Sequence, residues 1–172
     1  MKHSKLVLLA IGLVSLLAYL VSAQNSAAPA RAAHAFDKLK TLAGDWQGTG
    51  SDGKMRTVSY QLAAGSTALV ETLTPEGEPS MVSLYHRDGE KLMMTHYCSA
   101  NNQPRMRAEI PPGDLNTLEF VFVDVTNLAK PTDGHIHGLT LTLEDADHLA
   151  QTWTWRENGK EVSDTFTLSR KK

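Results

Sequence analysis

From Gly44 onward the chain alternates apolar and polar residues in short runs closed by turn-forming residues, the two-residue period of half-buried β-strands. The runs predict ten strands, near residues 44–51, 55–63, 67–73, 80–87, 90–98, 104–110, 117–126, 135–144, 148–156 and 160–169. Turn chemistry separates them at Asp52-Gly53, Ala64-Gly65, Pro75 to Pro79, Asp88-Gly89, Ala100 to Gln103, Pro111 to Asp114, Pro131 to Gly134, Asp145-Ala146-Asp147 and Asn158-Gly159. Asp88-Gly89 and Asn158-Gly159 are two-residue hairpin signals, in which both central positions are expected at positive φ. Upstream, Ala35, Phe36, Leu39 and Leu42 fall at three-and-four spacing, which predicts one short helix over Ala32–Leu42, ended near Gly44.

Most connections are too short for anything but antiparallel neighbours. Ten such strands left open would expose two edges, and closing them into an up-and-down barrel removes both. The fold class expected is therefore all-β, an antiparallel barrel of about ten strands with a short N-terminal helix at one end. A barrel of this size is wider than its side chains readily fill, so an internal cavity for a small-molecule ligand is expected.

The first 23 residues read as a secretory signal: Lys2 and Lys5, an apolar run from Leu6 to Leu20, then Val21-Ser22-Ala23 before Gln24. The alternative is an uncleaved anchor, although the run hardly reaches the roughly 20 residues a spanning helix needs. Cleavage implies export to a periplasmic or extracellular site, with no stable membrane insertion afterwards. Residues 24–33 read as a flexible lead-in rich in Ala, Pro and Ser, and 34–172 as a single barrel domain. Removing the signal takes Lys plus Arg from 17 to 15 against 19 acids, so the formal charge goes from −2 to −4. A mildly acidic domain without a basic run has no footprint for nucleic acid. Cys98 is the only cysteine, which excludes an intramolecular disulfide and leaves it either packed and inert or a reactive or metal-binding thiol.

The segment Gly44-Asp45-Trp46-Gln47-Gly48-Thr49-Gly50, preceded by the helix, resembles the opening of lipocalin-like (calycin) barrels. The extended Gly-x-Trp-x-Gly-x-Gly spacing is most similar to the nitrobindin-type branch and related uncharacterised secreted bacterial domains. The resemblance implies that Trp46 plugs the helix-covered end and that a late basic residue, here Arg170, stacks on its ring. It also implies haem held by a histidine near the C-terminus. No histidine follows His148, so that ligand is not carried over.

Candidate chemistry lies at the opposite end. His135 and His137, two apart, would share a face about 7 Å apart along a strand, with Leu139, Leu141 and Leu143 pointing that face inward unless a bulge at Gly138 intervenes. His96 and Cys98 share a face with Leu92 and Met94, and Glu71 shares one with Leu69 and Leu73. Strand alternation gathers Glu71, His96, Cys98, Asn102, Arg105, Asn127, His135 and His137 around one mouth. His96, His135 and His137 would then be candidate ligands for a transition metal, with Glu71 or Cys98 completing the set. The plainer reading is that strand-end histidines are solvated or donate to loop carbonyls. A cupin reading starts from the same His-x-His but lacks the spacing to Glu144, and Trp153 and Trp155 read as barrel wall. No Gly-x-Ser-x-Gly, Walker loop, paired CxxC or HExxH occurs, which argues against ordinary hydrolase machinery. Three functions follow: a small-ligand carrier, a metal-binding protein or metal-dependent enzyme, and a structural envelope protein.

Overall fold

The computed structural model describes residues 29–172 except 111, 112 and 114. The signal segment and the first part of the lead-in lie outside the described residues. Helix α1 spans residues 29–40, starting three residues before the periodic stretch because the Ala-rich segment after Pro29 is itself helix-favouring. No helix among the described residues is long and apolar enough to cross a membrane.

Ten strands follow: β1 (Gly44–Thr49), β2 (Met55–Ala63), β3 (Ala68–Pro75), β4 (Met81–Asp88), β5 (Lys91–Tyr97), β6 (Gln103–Glu109), β7 (Thr117–Thr126), β8 (His135–Leu143), β9 (His148–Glu157) and β10 (Lys160–Arg170). Each pairs antiparallel with its sequence neighbours, and β1 pairs with β10 to close the barrel. At the β9–β10 turn Asn158 and Gly159 both have positive φ, 50° and 73°, as expected. The β4–β5 turn differs. Asp88 pairs with Lys91, so the central residues are Gly89 and Glu90, and only Gly89 is at positive φ, the arrangement of a type II′ rather than a type I′ turn.

Inward positions alternate along each strand, and one apolar cluster runs from α1 into the barrel through Phe36, Leu39, Trp46, Tyr85, Met94 and Phe120. Tyr85 and Phe120 meet edge to face at 5.4 Å. This half of the barrel is therefore filled largely by buried apolar side chains, each of this kind contributing about 1.5 to 3 kcal/mol.

The packing explains the Gly-x-Trp-x-Gly signature. Trp46 is 1% exposed, donates Nε1–H to the Leu42 carbonyl at 2.8 Å, and so ties β1 to the end of the helix. The Arg170 guanidinium lies 4.2 Å over its ring and donates to the carbonyls of Ala43 and Thr41, both at 2.8 Å, closing the plug from β10. Gly48 faces β10 so closely that a Cβ would stand 1.8 Å from the Thr167 carbonyl oxygen, so barrel closure at this point requires glycine.

Candidate functional site

The half of the barrel opposite the helix is built differently. Successive strand pairings place Tyr60 opposite Glu71, Glu71 opposite Ser83 and Ser83 opposite His96, a row of polar side chains across β2, β3, β4 and β5. Every member is buried. Tyr60 and Tyr85 donate to the two Glu71 carboxyl oxygens at 3.2 and 2.6 Å. Gln151 reaches across from β9 and donates to Glu71 at 2.6 Å and to the Tyr60 hydroxyl at 2.5 Å, while its own carbonyl accepts from Trp153 Nε1 at 2.9 Å. A polar belt thus crosses the lumen between the apolar, helix-covered half and the mouth.

Glu71 is the acceptor on which the belt converges, taking hydrogen bonds from Tyr60, Tyr85 and Gln151. Burial pushes its carboxyl above the ordinary range, opposed by the donors Tyr85, Gln151, Ser83 and Tyr60. Ser83 lies 3.0 Å from His96 Nδ1. In the tautomer that carries its proton on Nδ1, His96 donates to the Ser83 hydroxyl and its Nε2 is a bare lone pair. Burial lowers the imidazole to about 4, which keeps it neutral at physiological pH. His96 rests against Trp153, ring centroids 4.8 Å apart.

Above the belt lies a cavity of about 360 Å³, walled by Leu73, Ile136, Trp153, Trp155 and Phe166, with His96 and Arg56 also on its lining. The volume falls in the range of small-molecule sites. Arg56 is 5% exposed, lies 4.9 Å over the Phe166 ring, and pairs with Asp52 at 3.0 Å and Asp164 at 3.6 Å. Two buried polar atoms on this lining have no hydrogen-bond partner, His96 Nε2 and Arg56 Nε.

Of the residues expected at the mouth, Glu71 and His96 do face the interior. His135 and His137 do not join them, which corrects the inward reading of that pair. The β8–β9 register slips between Ile136 and Gly138, so His137 is an extra residue, Ile136 pairs with Trp155, and it is Ile136 that lines the cavity.

The two imidazoles form a separate chain. Arg156 donates to His137 Nε2 at 3.0 Å, His137 Nδ1 lies 3.3 Å from His135 Nε2, and His135 Nδ1 lies 2.9 Å from the Asp133 carbonyl, which can only accept. All four ring nitrogens are consumed, and Phe122 stacks on His137 at 4.4 Å. Burial and then Arg156 lower the His137 pKa. The expected metal set of His96, His135 and His137 is corrected accordingly: no group of three or more His, Cys, Asp or Glu side chains among the described residues could hold a metal.

The remaining expected residues have partners of their own. Arg105 makes a two-pronged ion pair with Asp124 on the exposed surface. Asn127 donates to the Asn101 carbonyl, and Asn102, buried, donates to the Gly134 carbonyl at 2.9 Å. Both asparagines line a second, more polar recess of about 520 Å³ on the far side of Trp155. Cys98 is partly buried, and burial pushes its thiol up, away from reactive thiolate chemistry.

The residues missed from sequence are Arg56, Tyr60, Ser83, Tyr85 and Gln151. The signal was available in the alternation of Arg56, Val58 and Tyr60 and of Leu149, Gln151 and Trp153, where a polar residue takes an inward place.

No protein-family model matches the chain, and no curated protein matches it. Among solved structures it is similar to a protein of unknown function from the DUF3598 family of Nostoc punctiforme, with 15% identity, a TM-score of 0.44 and 77% of this chain covered; the chain spans 48% of that protein's length. It is also similar to EF1p2_mFAP2b, solved with DFHBI bound, with 14% identity, a TM-score of 0.37, and coverage of 77% of this chain and 96% of that one. Neither likeness is close enough to carry a functional argument.

Proposed function

We propose that the chain is an exported ligand-holding barrel of calycin type, in which residues 1–23 are a cleaved signal and the mature domain holds a small, mainly apolar molecule above the Glu71 belt. The observation that supports it is the pair of unpartnered buried atoms, His96 Nε2 and Arg56 Nε, on the wall of one 360 Å³ cavity. Leaving a buried polar atom unpaired costs about 1 to 3 kcal/mol, and a folded chain recovers that cost when a ligand supplies the partner. The aromatic lining supplies the apolar contact area. The calycin assignment is supported by the helix, by Trp46 at its Gly-x-Trp position and by Arg170 over its ring.

The test is a titration with naphthalene-sized probes followed by tryptophan fluorescence, since Trp153 and Trp155 line the cavity while Trp46 sits at the other end. Saturable quenching that is lost in Leu73→Trp, a substitution that fills the cavity from β3, is the expected result. Quenching that persists unchanged in Leu73→Trp would overturn the assignment of the cavity.

A further inference from the structure

The rim of the cavity carries Asp52, Glu78 and Asp164 against a single Arg56, three carboxylates to one guanidinium and a formal balance of −2 on the lining. Lys54, 4.0 Å from Glu78, leaves the surroundings negative even when it is counted. Hydrogen bonds from the Lys54 backbone and from Arg56 hold Asp52 below the usual carboxylate range, so it is ionised at neutral pH. Arg56 is already engaged, by Asp52, by Asp164 and by the face of Phe166. An anion entering here would meet acids at the rim and an arginine whose charge is shared out.

Deeper in, His96 is 1% exposed and lines the cavity, and its Nε2 is buried and unpartnered. In the tautomer with the proton on Nδ1, directed at Ser83, Nε2 can only accept. Trp153, Trp155 and Phe166 complete the aromatic wall, and Arg56 over the Phe166 ring shows that this wall already holds a cation.

Resting on the proposed ligand-holding role, we infer that this site takes an amine: a small aromatic or alicyclic body bearing a primary or secondary ammonium whose N–H is donated to His96 Nε2, with the positive charge balanced by the acidic rim. Arg56 Nε is left to donate to a neutral acceptor on the same molecule, such as a carbonyl or hydroxyl oxygen. The selection is electrostatic and directional at once, since a carboxylic acid of the same skeleton brings the wrong charge and an acceptor where a donor is required.

The experiment uses four probes of one skeleton on the full mature chain at neutral pH: 2-naphthylmethylamine, 2-naphthylmethanol, 2-methylnaphthalene and 2-naphthoate, each measured by calorimetry. The amine is expected to bind about tenfold or more tightly than the hydrocarbon and the carboxylate, with the alcohol between. Amine affinity should fall with added salt while that of the alcohol does not. His96→Phe should narrow the amine's lead over the hydrocarbon to the part the acidic rim supplies, and Asp164→Asn should weaken the amine alone. A carboxylate that binds as tightly as the amine, or an amine advantage untouched by salt and by both substitutions, overturns the amine assignment and leaves the ligand-holding cavity standing. Failure of all four probes to bind overturns the cavity reading and the amine assignment together. The salt series on the unsubstituted chain decides the matter if either variant fails to fold.

Discussion

Acid sensitivity should report directly on His96. The imidazole is 1% exposed, and burial lowers it from 6.5 to about 4. In the unfolded chain it takes up its proton near pH 6.5, whereas in the folded chain it does so only near pH 4. Between those values the unfolded state holds more protons, so stability falls as pH falls through the interval and is fully present above it. At 1.36 kcal/mol per pH unit, the window from about 6.5 to about 4 corresponds to roughly 3 kcal/mol.

Glu71 acts with the opposite sign. Its folded pKa is raised, so the cost of its buried charge is relieved as pH falls. His137, lowered like His96, shifts in the same direction and is present in both proteins to be compared. Urea unfolding of the native chain and of His96→Gln at pH 7, 6, 5 and 4.5 isolates the residue. The stability difference between the two proteins should change by close to 1.4 kcal/mol per pH unit within the window, in the sense that the variant loses less on acidification. Parallel pH profiles would mean that His96 is not held neutral in the barrel, and the belt as described would be wrong.

Trp46→Ala should cost about 3 to 5 kcal/mol, read as a lower urea midpoint, because it empties a fully buried aromatic site; an unchanged midpoint would remove the plug from the account. Glu71→Leu should cost at least about 2 kcal/mol, since Tyr60, Tyr85 and Gln151 lose their common acceptor and each orphaned donor is worth about 1 to 3 kcal/mol; unaltered thermal unfolding would contradict this. Intact mass of the secreted protein should correspond to a chain beginning near Gln24, and a product retaining Leu6 to Leu20 would refute cleavage.

The strands were legible because two-residue alternation and turn residues are local signals, and residue by residue they fixed Glu71 and His96 on the inner face alongside Leu69, Leu73, Leu92 and Met94. The histidine pair was misread for an equally physical reason. A bulge adds one residue to one strand, and a single added residue turns every side chain before it to the other face. Leu139, Leu141 and Leu143 lie after His137 and carry no information across it. Arg56 and Gln151 escaped notice because a charge or amide in a strand ordinarily marks the solvent face. Only the closed barrel, which brings β9 across the lumen to β2 and β3, gives Gln151 its partners. Strand number suggested a cavity through the barrel, but large buried residues such as Phe120 and Met94 occupy the lumen toward the helix, and the aromatic-lined cavity lies toward the mouth.

The central claim is that His96 Nε2 is an unprotonated acceptor waiting for a ligand. The most direct measurement is a long-range ¹H–¹⁵N correlation spectrum of the ¹⁵N-histidine-labelled protein at pH 7, recorded before and after saturation with 2-naphthylmethylamine. The account predicts that His96 carries its proton on Nδ1, and that its Nε2 resonance moves on binding while those of His137 and His148 stay in place. Saturation that leaves the His96 Nε2 resonance unmoved, or a His96 protonated on Nε2 in the free protein, would contradict it.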